Sequence, residues 1–474
     1  MQEPPRDSFA AGRPHPQTEA PPVRRGLVFA TVALTLLMMS VDTTIVATAL
    51  PALQTGLDTS INWAGWTITA YSFGFVLMLP LSGKLAEIYG RRRVFLGSVA
   101  VFTVASLCCG LCTNIYWLIA LRAVQAAGGA GFTPSATGIV VQHFGDSRDR
   151  AIGLFGSIFP IGSMIGPVFG GLFVSYWSWR GIFFVNVPIG LAIYLAALRF
   201  VPPDPPRKAD TPKRIDVAGM TLLGLGLISG MLAASYVGEK DSHVLSIAFV
   251  APVIIAVVAV FLFFRHIHRS SNPFISPGLI NLPGFGAINL VNALYAGSTA
   301  GLMALVPLYA ANRYGISALQ AGTILTGQAA ISLLLSVLGS FALRRTGYRL
   351  PLYFGGVTIA VGILLLALTP MRGISPFVWL SIAALIVGMG FGAINPASRN
   401  AGLQLAPDSS SSLAALRSMC MQLGTIATIS LATAILAGTE QPAVAQVWIY
   451  IAAAILFAVS LPLIARVPEH RGAW

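Results

Sequence analysis

Negative charge is what this chain has least of. Its 474 residues include 16 Asp and Glu against 29 Lys and Arg, and charged residues of both signs make up only 9%. A soluble globular domain carries about 25%, so that class is excluded, and the 55% hydrophobic content points to a polytopic membrane protein. Cysteine is nearly absent. Cys108, Cys109, Cys112 and Cys420 all lie in apolar stretches, and Cys109-Gly-Leu-Cys112 has no second pair or histidine cluster to complete a metal or redox site. The six histidines (His15, His143, His243, His266, His268 and His470) fall in tails, loops or span ends, which argues against a histidine proton relay. No glycine-rich phosphate loop or ATPase domain is found. An ion gradient, or the substrate's own gradient, must therefore supply the energy, and no cofactor or metal is expected.

What the chain has instead is long apolar runs. A membrane-spanning helix needs about 20 apolar residues, and cutting the sequence at polar, charged and Gly/Pro breaks gives fourteen predicted spans. The first six are Gly26–Leu53, Trp63–Leu85, Val94–Leu111, Tyr116–Val141, Ala151–Tyr176 and Gly181–Phe200. Val217–Val237 and Val244–Phe264 follow a basic loop. The last six are Phe285–Ala311, Leu319–Leu343, Leu350–Thr369, Phe377–Leu405, Ser412–Ala437 and Ala443–Ala465. The first is too long for a signal-peptide core and no small-residue cleavage site follows it, so it reads as a retained helix.

The organisation expected is a disordered tail at 1–25, a six-helix half at 26–201, a linker with two additional helices at 202–283, a second half at 284–466, and a tail at 467–474. The formal charge of +13 could suggest nucleic acid, but its placement is explained by topology. Alternating the loops leaves only Arg180, Lys240, Arg313 and Arg372 on one side, and Arg122, Arg399 and Arg417 inside spans. All other Lys and Arg fall on the side of the termini, so the positive-inside rule predicts both termini in the cytoplasm.

Asp42 is the only carboxylate inside any span. A charge there costs several kcal/mol unless paired, hydrated or protonated, so ionisable residues in spans usually mark an ion or substrate path. Desolvation favours the protonated form of a carboxyl group, which makes Asp42 a candidate proton carrier. The alternative is a fixed acid bonded to neighbouring helices. Arg122, in the fourth span, is its natural partner.

Three segments look like signatures. The loop Gly83-Lys-Leu-Ala-Glu87-Ile-Tyr-Gly90-Arg91-Arg92-Arg93 joins spans two and three, and a weaker echo, Leu343-Arg-Arg-Thr-Gly-Tyr-Arg349, stands at the same place in the second half. Gly83 and Gly90 permit close helix approach and a tight turn, while the carboxylate and arginines can form a breakable charge network. In span five, Gly162, Gly166, Gly170 and Gly171 line a helix that Pro167 can kink. Asp42-Thr-Thr-Ile-Val-Ala-Thr-Ala-Leu-Pro51 and Trp179-Arg-Gly-Ile-Phe-Phe-Val-Asn186-Val-Pro-Ile-Gly190 stand in spans one and six.

Together these resemble the major facilitator superfamily, and within it the fourteen-span drug:proton antiporters. The first loop is similar to the family's G-x-L-a-D-r-x-G-r-r motif, with Glu87 for the usual Asp. The Gly162–Gly171 stretch looks like its antiporter motif, and Leu118–Gln125 looks like its fourth-helix arginine motif, with Ala126 for the usual Gly. The resemblance covers Arg24 to Arg471 and implies an all-α membrane protein with the major facilitator fold, not an enzyme. Its implied function is export of amphipathic or drug-like molecules across a bacterial inner membrane in exchange for protons, with the lipid bilayer as surroundings. It implies Asp42 and Arg122 in proton coupling and Gly83, Glu87, Gly90, Arg91 and Arg92 in gating. Alternatives are a dedicated exporter of one metabolite, siderophore or lipid, a proton symporter, and a non-transporting sensor. A monomer is expected.

Substrate contacts are sought among polar and aromatic residues away from span ends: Tyr71, Phe159, Asn289, Asn292, Tyr295, Gln328 and Asn395. Arg399 reads as a side chain snorkelling from the cytoplasmic end, with an anion contact as the alternative. Arg417 stands where relatives often carry Arg.

Overall fold

The computed structural model describes residues 24–144, 148–204, 216–236, 245–270, 273, 275, 277–405 and 410–469. Both predicted tails lie largely outside these residues, and so do most of the basic linker and the Glu87 side chain.

All regular elements among the described residues are helical. In the first half they are α1 (Arg25–Gly56), α2 (Ile61–Tyr89), α3 (Arg91–Leu111), α4 (Ile115–Ala130), α5 (Phe132–His143), α6 (Arg148–Tyr176), α7 (Gly181–Phe184) and α8 (Asn186–Phe200). Two inserted helices, α9 (Val217–Tyr236) and α10 (Ile247–Arg269), and the short α11 (Pro277–Ile280) follow. The second half holds α12 (Phe285–Val291), a π-helical turn (Asn292–Ser298), α13 (Thr299–Ala304), α14 (Val306–Tyr314), α15 (Ala318–Thr346), α16 (Arg349–Ala367), α17 (Pro376–Leu403), α18 (Ser410–Ala437), α19 (Pro442–Ser460) and a 3₁₀ turn (Leu461–Arg466).

Among the described residues, 13 helical stretches are long and apolar enough to cross a membrane. The predicted fourth span is not one unbroken helix: it is α4 and α5, which meet at Gly131. Pro134 has no N–H to give the Ala130 carbonyl. The Ser82 hydroxyl of α2 donates to that carbonyl instead, at 3.0 Å. A carbonyl freed in a membrane helix needs such a substitute, since lipid offers none.

The helices form two bundles related by an approximate twofold repeat. In each half the first span lies against the fifth, α1 on α6 and the π-helical turn on α18. The bundles meet reciprocally, second span to fifth: α2 on α18 and α6 on α15. Of the inserted pair, α9 sits against both α2 and α18. The Asn62 amide donates to the Ser235 carbonyl at 3.1 Å, and the Trp66 indole N–H donates to the Ser235 hydroxyl. The insert therefore covers one of the two seams between the halves. Its outer helix turns Ile254, Val257 and Phe261 outward, as a lipid-facing helix would.

The weak sequence repeat has a structural counterpart. Gly90 turns the chain with φ 100°, and the backbone N–H groups of Arg92 and Arg93 donate to the Asp204 carboxylate at 3.0 and 3.3 Å. Gly347 turns with φ 71°, and the N–H groups of Tyr348 and Arg349 donate to Glu469 at 2.7 and 3.3 Å. In each half an acid just past span six latches the start of span three. A carboxylate at a helix N-terminus satisfies orphan N–H groups and favours the helix dipole.

Candidate functional site

The site is built where α1 meets α6. Gly162, Gly166 and Gly170 recur every four residues, so they share one face of α6. A Cβ at each would collide with Ser40, Thr44 and Thr48 respectively, three residues with the same spacing on α1. At Gly170 it would also come within 2.5 Å of the Ile45 carbonyl. The glycines thus let the small side chains of Ser40, Thr44 and Thr48 lie directly on the α6 backbone, which brings the two helices close. Gly171 points elsewhere, toward Leu319 of α15, and the Pro167 carbonyl abuts Gly322. One helix therefore serves both the first-half interior and the contact between halves.

Asp42 sits on α1 beside this seam and is fully buried. Its Oδ2 accepts from Arg122 Nη1 at 2.8 Å. Its Oδ1 accepts from Gln125 Nε2 at 2.9 Å and from Asn186 Nδ2 at 2.8 Å. The orientation of both amides follows from Ser106. That hydroxyl gives its single proton to the Phe183 carbonyl at 3.0 Å, so its oxygen can only accept. It accepts from Gln125 Nε2 and Asn186 Nδ2 at 3.1 and 3.0 Å, which turns both NH₂ groups toward the acid.

Arg122 is held as tightly. Its Nη1 also donates to Gln125 Oε1 at 2.8 Å and its Nε to the Thr67 carbonyl at 3.3 Å. The Tyr71 ring lies 4.2 Å from its guanidinium carbon. A buried ion pair repays its desolvation only when its remaining hydrogen-bonding sites are filled. Here every group around the acid is a donor, an arrangement that suits the carboxylate.

Next to the pair lies a central cavity of about 580 Å³. Thr43, Met39 and Tyr71 line it, but Asp42 and Arg122 do not. Tyr71 forms the partition between ion pair and cavity. The wall runs from Ala47 and Thr299 past Phe159, Gln328 and Phe391 to Arg399, Gly402, Leu405 and Leu413, close to the end of the bundle that carries both termini. Contacts between halves at Gly171–Leu319, Pro167–Gly322 and Gly65–Thr433 lie at the opposite end.

Of the seven candidate substrate contacts, Tyr71, Phe159, Asn289, Gln328 and Asn395 line this cavity. Asn292 and Tyr295 do not. Both are fully buried within the second bundle, where the Tyr295 hydroxyl donates to the Phe457 carbonyl at 2.7 Å and the ring stacks on Phe457. Polarity inside a span does not reveal which side of a helix faces the cavity. The loop residues are also divided. Gly90 makes the expected turn, and Arg91 Nη1 donates to the Gly138 carbonyl of α5. Arg92 Nη2 donates to the Leu198 carbonyl at 2.7 Å. At Gly83 a Cβ would meet nothing within 4 Å among the described residues, so the close contact expected of this glycine is not made. Sequence reasoning did not assign Ser106, Gln125 or Asn186, whose shared role depends on three helices converging.

Comparison with known proteins places these features in a family. The sequence profile of the Major Facilitator Superfamily matches residues 32–428 and 288–473. The multidrug transporter protein MdtP of Bacillus subtilis is 28% identical over 374 residues, which cover 79% of this chain and 68% of that protein. The methylenomycin A resistance protein of Streptomyces coelicolor is 29% identical over 95% of this chain and 94% of its own length. Among solved structures, a D-xylose–proton symporter superposes with a TM-score of 0.67 at 14% identity, covering 94% of this chain and 98% of that one. A bacterial homologue of the lysosomal transporter Spinster, inward-facing and occupied, superposes at 0.64 with 17% identity, covering 94% and 97%. At these identities the structural likeness concerns the fold alone.

Proposed function

Because this chain belongs to the major facilitator superfamily and is an integral-membrane transporter rather than an enzyme, we propose that it exports drug-like, amphipathic small molecules in exchange for protons. The observation that carries the proposal is the sealed Asp42–Arg122 pair beside a largely apolar cavity of drug-sized volume. The names of the multidrug and resistance relatives favour export of such molecules.

The membrane is the bacterial inner membrane and the end bearing the termini is cytoplasmic, in line with the clustering of Lys and Arg on that side. The cavity described above is then the inward-facing one. In this state Asp42 has given up its proton and is held by Arg122. Rocking of the halves opens the outer side, and the acid is reprotonated from outside. One proton moved through 100 mV supplies about 2.3 kcal/mol, equivalent to roughly a fifty-fold concentration ratio.

Gly83, Glu87, Gly90, Arg91 and Arg92 form the cytoplasmic gate in this reading. The open space at Gly83 supports it, since a gate that closes on this loop needs room for an approaching helix. One chain supplies every residue invoked, so a monomer suffices.

In inside-out vesicles with an acid interior, adding a transported compound should release protons outward and reduce the pH gradient. A panel of amphipathic dyes read with an internal pH probe measures this, and proton flow in the reverse direction would mean symport. Sidedness has its own check in a chain whose four cysteines have been replaced. An impermeant maleimide on intact cells should label Arg372→Cys and leave Lys84→Cys unlabelled; the opposite pattern would invert the topology.

A further inference from the structure

Among the described residues that line the central cavity, the charged ones are Arg399 and Arg417, and none is a carboxylate. Arg417, on α18, donates from Nη2 to Asn395 Oδ1 at 2.6 Å. Its Nε is buried and has no partner among the described residues. Arg399, on α17, makes no ion pair among the described residues and is close enough for its charge to act on Arg417. The buried, idle N–H of Arg417 is costly unless something negative visits it, and the exposed Arg399 at the rim adds a second positive charge on the way in. A guanidinium offering adjacent free N–H groups matches the two oxygens of a carboxylate, sulfonate or phosphate. Asn395, already bonded to Arg417 through its oxygen, carries amide N–H groups that can also donate to an anion. Phe391, Leu405, Leu413 and Met421 border the same stretch of wall and give an apolar body somewhere to lie.

We propose that Arg417, with Arg399 and Asn395, forms a subsite for the acidic group of an amphipathic organic anion. It rests on the exporter reading for its place in the transport cycle, but not for the binding itself. The shared chemistry is an anionic head on an apolar body, whether a dissolved organic acid or an anionic lipid.

The test uses the purified full-length protein and two fluorescent probes of one skeleton, 8-anilinonaphthalene-1-sulfonate and the uncharged N-phenyl-1-naphthylamine. Arg417→Gln should weaken the sulfonate by about ten- to a hundredfold, the range for a lost hydrogen-bonded charge contact, and leave the neutral probe unchanged. Arg399→Gln should act in the same direction with a smaller effect. Arg417→Lys keeps the charge without the planar fork and should fall between wild type and Arg417→Gln. Displacement of the sulfonate probe by naphthalene-1-sulfonate identifies a dissolved acid as ligand, and displacement only by dihexanoyl-phosphatidylglycerol identifies a lipid.

Equal loss of both probes in Arg417→Gln would reduce the residue to packing and overturn the subsite. So would unchanged sulfonate affinity in the double Gln variant. If the neutral probe is still exported from vesicles in that case, the exporter reading stands without the subsite. Arginine-dependent sulfonate binding with no export of either probe would have the opposite meaning.

Discussion

Asp42→Asn should abolish proton-driven export while purified protein still binds a neutral substrate in the cavity. The substitution removes the only titratable oxygen pair among three donors and puts an NH₂ group where Arg122, Gln125 and Asn186 all point hydrogen toward the acid. Leaving a buried charge without its partner costs about 3–5 kcal/mol, so Arg122→Ala and Asp42→Asn should both lower thermal stability. Transport must therefore be normalised to folded protein. The pocket lies on the far side of Tyr71 and does not include Asp42, which is why binding should survive when coupling does not. Proton-gradient-driven uptake into inside-out proteoliposomes, beside equilibrium binding, separates the two. Wild-type coupled rates would return the acid to the role of a structural tie.

The second large effect is expected from Gly166→Leu. A Cβ at this position collides with the Thr44 hydroxyl and comes within 2.9 Å of the Val41 carbonyl, so the first carbon already meets backbone. The helices cannot keep their spacing, and Asp42 lies between the two contacted residues. Overpacking of this kind costs about 3 kcal/mol or more where backbone must move. Folded yield in detergent and transport should both fall sharply. Gly286→Leu on α12, where a Cβ meets nothing within 4 Å, is the matched control and should be close to wild type. Equal thermal stability for the two variants would mean that the seam is looser than its geometry implies.

How much of this was legible beforehand depends on how many helices a property requires. The acid and its arginine stood out because one unpaired charge in a span is already improbable, and the structure joins them at 2.8 Å. The glycine spacing identified a close seam, though not its partner, since Ser40, Thr44 and Thr48 are ordinary residues of an apolar helix. Ser106, Gln125 and Asn186 come from three separate elements, and only convergence gives them one purpose. Asn292 and Tyr295 failed as cavity residues for the converse reason: the π-helical turn that starts at Asn292 resets which side of the helix faces inward. The broken fourth span was hidden because Gly131 and Pro134 interrupt hydrogen bonding without interrupting hydropathy. Arg399 read as a snorkelling end, and it does lie toward an end, but that end is the rim of the cavity.

The two carboxylate latches differ in where the chain places them. Asp204 follows α8 at the front of the linker, whereas Glu469 lies beyond the last helical turn. Proteolysis within the linker past residue 204 would spare the first latch. A clip or fusion junction just after Arg466 would delete the second and remove the Glu469 oxygens that accept from the Tyr348 and Arg349 amides. The two bundles are thus unequally exposed to handling. An affinity tag spliced on before Glu469 would uncap the start of α16 and leave the start of α3 capped, a difference that the length of the purified chain would not reveal.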